Sequence, residues 1–118
     1  MENTAARKRK QVPEGYLVVG IDPHKKRHAA VAITQDFTTQ AKFKFDNTRE
    51  GLEMMLDRAK VEMLKSGCRG VIFAIETGGH YWRNIAYYLD ERGYSIPFHQ
   101  PIYFEAQERR QRYQSQEE

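Results

Sequence analysis

The sequence predicts an α/β fold in which helices flank a mixed five-stranded sheet. Short apolar runs rich in β-branched residues indicate strands, and two longer segments with apolar residues at helical spacing indicate helices. These elements follow one another in the order β-β-β-α-β-α-β. A strand that comes after a long helix usually returns parallel to an earlier strand through a right-handed crossover. We therefore expect the strand order 3-2-1-4-5, with strand 2 antiparallel to its neighbours.

The first three strands are expected to form an antiparallel meander, because the connections between them are short. They cover residues 16–22, 28–34 and 39–46. Strand 3 alternates alanine and phenylalanine with Lys42 and Lys44, a pattern typical of a strand with one exposed face. The meander lies on one side of strand 1 and leaves its other side free for strand 4.

A helix is predicted between the meander and strand 4. Asn47 and Glu50 have the spacing of a capping arrangement at its start, and Gly67 is a typical C-terminal stop. The apolar residues that recur at helical spacing along it are Leu52, Met55, Leu56, Ala59, Met63 and Leu64. The pattern predicts that this helix packs one face against the sheet.

The second half of the chain repeats the alternation of strand and helix. Strand 4 is predicted over residues 71–76, a second helix over residues 80–92 with Gly93 as its stop, and strand 5 over residues 95–99. From Pro101 onward the chain is polar and rich in glutamine, and we expect another helix there.

The length of 118 residues corresponds to one domain. We expect a disordered basic leader over residues 1–15, the folded domain over residues 16–101 and a polar C-terminal helix over residues 102–118. The net charge of +3 permits a phosphate-rich partner without requiring one.

Composition excludes several classes of protein. No apolar run approaches the roughly 20 residues that span a bilayer, and the N-terminus lacks the apolar segment of a secretory signal. The single cysteine, Cys68, excludes an internal disulfide and fits a reducing compartment. We therefore expect a cytoplasmic protein without a membrane partner.

Two acids close apolar strands, Asp22 at the end of strand 1 and Glu76 at the end of strand 4. If these strands are parallel neighbours, their backbones lie ~4.8 Å apart and their carboxyl ends share one edge of the sheet. Two neighbouring carboxylates repel each other unless a cation lies between them. Mg²⁺ accepts such carboxylates together with phosphate oxygens, and Mn²⁺ is the alternative we consider. The pair therefore predicts a metal site that assists the cutting or joining of a nucleic-acid backbone.

Two motifs carry a resemblance to a known family. Residues 19–26 read VGIDPHKK, and residues 76–84 read ETGGHYWRN. Both resemble motifs of the DEDD-type transposases of bacterial insertion sequences, the IS110 family, which is related to the Piv invertase. The resemblance covers about residues 16–102 and implies an RNase H-like, RuvC-like fold, the N-terminal catalytic domain of such an enzyme.

The resemblance also implies a function and its site residues. Asp22 and Glu76 would be the first two acids of a magnesium-binding DEDD set used in DNA transposition and recombination. DNA would be the substrate, an RNA encoded by the element could guide the reaction, and the whole protein would form a homo-oligomer. No aspartate of this sequence matches the third and fourth acids, and the family's second domain with its nucleophilic serine is not matched. We therefore expect an incomplete catalytic domain that is inactive alone.

Residues next to the two acids are candidates for nucleic-acid contacts. Lys25, Lys26 and Arg27 follow the first acid and could hold phosphates, although a solvated hairpin connection explains them equally well. The candidates after the second acid, at the start of the predicted second helix, are His80, Tyr81 and Arg83. A helix N-terminus favours anions, and a tyrosine there either packs or stacks on a base.

Other functions remain open at this point. The domain could be a non-catalytic module with a nuclease-like fold that binds nucleic acid such as a guide RNA, or a nuclease related to Holliday-junction resolvases. The ATP-binding lobe of an actin-like kinase also has a first strand ending in an acid. That alternative is disfavoured, because PHKK follows Asp22 where such lobes usually place glycine and a hydroxyl residue that hold phosphate.

Overall fold

A four-stranded mixed sheet forms the centre of the structure, a computed structural model that describes residues 12–96. The strands are β1 (Tyr16–Asp22), β2 (Arg27–Ile33), β3 (Thr39–Asp46) and β4 (Gly70–Ile75), and their spatial order is β3-β2-β1-β4. β2 pairs antiparallel with both β1 and β3, whereas β4 pairs parallel with β1. The predicted order of the first four strands and the antiparallel direction of strand 2 are confirmed.

Two helices accompany the sheet, α1 (Arg49–Lys65) and α2 (Trp82–Glu91). Both contribute apolar side chains to one core cluster with the sheet. The largest fully buried apolar side chains of this core are Phe45, Phe73, Leu17, Met55, Ile85, Leu89 and Val19. Within residues 12–96, neither helix is long and apolar enough to cross a membrane.

The start of α1 differs from the prediction. Thr48 caps the helix, since its side-chain hydroxyl accepts a hydrogen bond from the Gly51 N–H at 3.0 Å. The predicted capping role of Asn47 is wrong, because this residue is bound elsewhere. Its backbone N–H donates to the Lys26 carbonyl at 2.9 Å, and its side-chain Nδ2 donates to the Lys25 carbonyl at 3.0 Å. Asn47 thereby fastens the β1–β2 connection to the junction of β3 and α1.

The second helix starts later than predicted. It begins at Trp82, and the capping position before it, Tyr81, makes no side-chain capping hydrogen bond. Gly93 follows the helix with a φ of +82°, as expected of a C-terminal stop. The chain then reaches the free edge of β4, where the Phe73 N–H donates to the Ser95 carbonyl at 3.0 Å.

Several expectations fall outside the part of the chain that the structure describes. Residues 1–11 of the predicted leader, most of the predicted fifth strand and the predicted helix over residues 102–118 belong there. The fifth strand, and with it the RNase H-like classification, therefore stays a prediction.

The two faces of the sheet have different characters, because successive side chains of a strand point to opposite sides. Leu17, Val19 and Ile21 of β1 are buried in the core that the sheet shares with the helices. Gly20 and Asp22 lie on the opposite face and are more accessible. Because alternate residues of β1 are fixed in the core, the residues between them lie on the face away from the helices.

His28 of β2 is a fully buried polar side chain. Its Nδ1 accepts a hydrogen bond from the His24 backbone N–H at 3.0 Å, so Nε2 carries the proton of the neutral ring. No partner within normal hydrogen-bonding distance reaches Nε2 from the described residues, and the ring packs against Phe45 with centroids 5.0 Å apart. Burial lowers the pKa of His28 below its usual value of 6.5, and the nearby Asn47 side chain offsets only part of that effect.

Protonation of His28 should destabilise the fold, because the charged ring is penalised by burial and loses its acceptor for the His24 N–H. The folded-state pKa lies below the unfolded value of 6.5, so this group costs no stability well above that pH. We expect the free energy of unfolding to decrease as pH falls below about 6.5, by at most about 1.4 kcal/mol per pH unit. Chemical denaturation between about pH 5 and pH 7.5 measures this slope, above the range in which carboxylates titrate.

The His28→Asn variant should lose this slope, because an amide keeps an acceptor on the Cγ branch and does not titrate. His80→Asn is the matched control, since His80 is an exposed histidine in the turn that follows β4, and this variant should keep the slope. Equal slopes in wild type and His28→Asn would contradict the assignment.

Glu62 ties α1 to the edge strand β3, although the sequence pattern does not mark it as an inward residue. Its Oε2 accepts from Arg58 Nε at 2.8 Å and its Oε1 from Gln40 Nε2 at 3.2 Å. The hydrogen bond from Arg58 lowers the pKa of Glu62 most, and the bond from Gln40 adds to that. The predicted inward position of Leu64 is wrong, since this side chain is 73% exposed. It lies about 200° around the helix from Glu62.

Replacing Glu62 by alanine should lower the free energy of unfolding by roughly 1–3 kcal/mol, because Arg58 loses its carboxylate acceptor and Gln40 keeps only the Glu62 backbone carbonyl. The control is Glu53→Ala, which removes the exposed Arg49–Glu53 pair of the same helix and the same i,i+4 spacing. We expect less than about 0.5 kcal/mol for that change. Urea denaturation measures the free energy of unfolding of both variants. Equal losses would show that the Glu62 contacts stabilise the fold no more than an exposed ion pair does.

Candidate functional site

Asp22 and Glu76 lie side by side at one end of the sheet. Asp22 is the last residue of β1, and Glu76 directly follows β4. The parallel register pairs Ile21 with Ile75, and the Glu76 N–H continues the ladder by donating to the Ile21 carbonyl at 3.0 Å. Both isoleucines are buried in the core. The two acids, one residue further along neighbouring strands, therefore share the opposite face, and both are exposed.

Each carboxylate has one contact that orients it. Asp22 Oδ2 lies 3.0 Å from His24 Nε2, across the turn that follows β1. Glu76 Oε1 accepts from the Gly78 backbone N–H at 3.0 Å. A Cβ atom at position 78 would lie 3.1 Å from that oxygen, so glycine permits this close approach. Both carboxylates are thus held by short local turns at the end of a rigid sheet.

The donor set fits a hard divalent cation. Exposed carboxylate oxygens are ligands that Mg²⁺ prefers, and it commonly takes one or two of them while keeping several waters. Among residues 12–96, no group of three or more potential metal-binding side chains comes together. The described residues therefore bring two carboxylates to the same face at the end of the sheet and form no complete metal cage.

His24 is a site residue to which the sequence reasoning assigned no role. It follows Asp22 by two residues, after Pro23, and the turn brings its imidazole back onto the carboxylate. Its backbone N–H is bound by the buried His28 ring. Sequence spacing alone gave no signal for this contact, because it depends on the path of the turn.

The basic residues after Asp22 have different environments. Lys25 and Lys26 lie in the β1–β2 connection, where their backbone carbonyls accept from Asn47 and both residues are exposed. Arg27 begins β2 and forms an ion pair with Asp46 at 3.2 Å. The two lysines remain available to an anion, whereas part of the charge of Arg27 is already compensated.

The candidate residues after Glu76 lie in the turn before α2 and in the first turn of that helix. His80 and Tyr81 precede α2, and their rings meet edge to face with centroids 6.4 Å apart. Arg83 lies in the first turn of α2, with its guanidinium 5.4 Å from the centroid of the Trp82 ring. Trp82 itself is buried in the core. His80 therefore does not belong to the helix N-terminus to which the sequence reasoning assigned it.

A groove of about 690 Å³ crosses the face that carries the two acids. Its floor includes the small residues Gly20, Ala29 and Ala74, and Lys42 and Lys44 of the edge strand line it as well. The alternation along β3 predicts its exposed lysine face, but no pattern in the sequence connects that face with the acids. That connection requires the pairing of three strands.

Comparison with known proteins identifies the family. Among curated proteins, none matches the chain. A family model described as a transposase, the DEDD type of IS110 insertion sequences, matches residues 19–117. The match spans both motifs that carry the resemblance and most of the sequence. The chain therefore belongs to the IS110 family of DEDD transposases.

Proposed function

We propose that this chain provides half of the metal-binding carboxylate site with which a transposase cleaves and transfers DNA strands. The observation that carries the proposal is the pairing of β1 with β4, whose register brings Asp22 and Glu76 to adjacent positions on one face. Membership in a transposase family supports DNA as the substrate. A guide RNA and self-association of the whole protein belong to the same proposal.

Asp22 and Glu76 would hold Mg²⁺ or Mn²⁺. When bound, such an ion stabilises the charge on the attacking and leaving oxygens of a phosphodiester. The protein contributes orientation, because His24 contacts one carboxylate and the Gly78 N–H binds the other. Both contacts use one oxygen of each acid, and the acids are exposed enough to receive a substrate.

The residues that surround the acids would bind the DNA backbone. Lys25 and Lys26 lie in the connection directly after Asp22, where a phosphate next to the reacting one would pass. His80, Tyr81 and Arg83 follow Glu76 in the chain and are exposed. Arg27 has the weakest support, because it is paired with Asp46.

The Asp22→Asn and Glu76→Gln variants should each reduce strand cleavage and strand transfer by the whole transposase at least about 100-fold. Loss of a metal ligand removes several kcal/mol of transition-state stabilisation, and about 1.4 kcal/mol corresponds to a factor of ten. DNA affinity should change by less than about threefold, since no cationic group is removed. Gel-based transposition assays and filter binding measure the two quantities.

Asp57→Asn is the matched control, because Asp57 is an exposed acid on α1, and it should remain fully active. Isothermal titration with Mn²⁺ provides a readout that is independent of activity, and the two active-site variants should bind less metal. Full activity of Asp22→Asn would refute the catalytic proposal and favour a non-catalytic nucleic-acid-binding module.

A further inference from the structure

The two acids belong to a row of residues that crosses the whole sheet. Strand pairing sets Asp22 opposite Ala29 of β2, and Ala29 opposite Lys44 of β3. Glu76 extends the row on the other side, next to Asp22. Directly paired residues of neighbouring strands point to the same face. Lys44 therefore faces the same side as both acids, and only Ala29 lies between Lys44 and Asp22.

A second row runs parallel to the first. Gly20 of β1 pairs with Ala74 of β4 and with Val31 of β2, and Val31 pairs with Lys42 of β3. The middle of this row also carries no large polar side chain. The two rows form a groove with a floor of small or apolar residues, lysines along one edge and carboxylates near the other.

Both lysines are exposed, and the buried Phe45 next to them holds the other face of β3 in the core. Neither Lys42 nor Lys44 has an ion-pair partner among residues 12–96, in contrast to Arg27 at the end of the neighbouring strand. Their charges are therefore available to a ligand in the groove.

The ligand must carry more than one negative charge along an extended chain. Three strand spacings separate the backbone of β3 from that of β4, which leads into Glu76, and two spacings of ~4.8 Å, roughly 10 Å, separate it from that of β1, which ends at Asp22. A single small anion cannot meet both ends of such a groove. A nucleic-acid strand advances about 3.4 Å per nucleotide along a duplex, and this distance corresponds to two or three nucleotides.

We propose that Lys42 and Lys44 bind backbone phosphates of the DNA strand two or three nucleotides from the phosphodiester that is cut at Asp22 and Glu76. This inference rests on the proposed function, because it takes the two acids as the place of cleavage. The lysines act as point charges on the backbone, so they add affinity without reading sequence. The small side chains of Gly20, Ala29 and Ala74 leave the strand room to lie against the sheet.

The double variant Lys42→Gln/Lys44→Gln of the whole transposase tests the proposal, with Ca²⁺ in place of Mg²⁺ to prevent cleavage. We expect DNA affinity at 0.1 M salt to fall roughly 10- to 50-fold, since each lost phosphate contact is worth about 0.7–0.9 in the slope of log K against log salt. The magnitude of that slope should fall by about 1.5, equally for different DNA sequences. Salt titrations followed by fluorescence anisotropy measure both.

The matched control is Lys60→Gln/Lys65→Gln, which removes two exposed lysines from α1, the helix packed on the other face of the sheet. Its affinity and salt slope should stay within error of wild type. Thermal unfolding of both double variants shows whether either change affects the fold. If the Lys42→Gln/Lys44→Gln variant, here called the β3 variant, is less stable than wild type, a second variant is needed. Lys42→Arg/Lys44→Arg keeps both charges and must restore DNA affinity if the proposal is correct.

Neutral methylphosphonate linkages at single positions of the DNA locate the contact. In wild type, a linkage two or three nucleotides from the cut should weaken binding, and in the β3 variant the same linkage should have no further effect. The proposal would be overturned if the β3 variant had the DNA affinity and salt slope of wild type. It would also be overturned if methylphosphonate linkages weakened wild-type binding only at positions other than two or three nucleotides from the cut.

These results are separable from a failure of the proposed function. If the β3 variant behaves as wild type while Asp22→Asn abolishes cleavage, the lysine assignment is wrong and the metal site stands. If Asp22→Asn remains active while the β3 variant loses affinity and slope, the lysines bind DNA and the chemistry occurs at other residues, which overturns the placement relative to the cut.

Discussion

The parallel pairing of β1 with β4 is the interaction on which the site depends. It joins two segments that are far apart in the sequence and sets Ile21 beside Ile75. Both isoleucines are buried, and a shift of the register by one residue would turn the core residues of a strand toward solvent. The apolar core thus maintains the register, and the register brings Asp22 and Glu76 to the same face. Stability and site geometry have one physical origin.

The turns around the site are connected to the same core. His28 is fully buried yet binds the backbone of His24, whose side chain contacts Asp22. Asn47 binds the other end of the β1–β2 connection, at Lys26. His28 and Asn47 thus fix the exposed β1–β2 turn through hydrogen bonds to its backbone. For the proposed metal site such support would matter, because groups that orient a ligand from behind strengthen metal binding.

The sheet uses its two faces for different purposes. One face packs against α1 and α2, and the other carries the groove with the acids and the lysines of β3. The floor of the groove includes Gly20, Ala29 and Ala74, whose side chains are small. On the groove side they leave open space above the sheet.

Much of this could be predicted from the sequence, because the relevant signals are local. Apolar runs and their breaks predicted four strands and two helices in the correct order, and strand ends identified Asp22 and Glu76. The remaining features depend on which segments meet in space. Asn47 has the chemistry of a helix cap, but contact with Lys25 and Lys26 recruits it and leaves the cap to Thr48. The alignment of the β3 lysines with the acids requires two successive strand pairings, and no spacing along one chain encodes a register between strands.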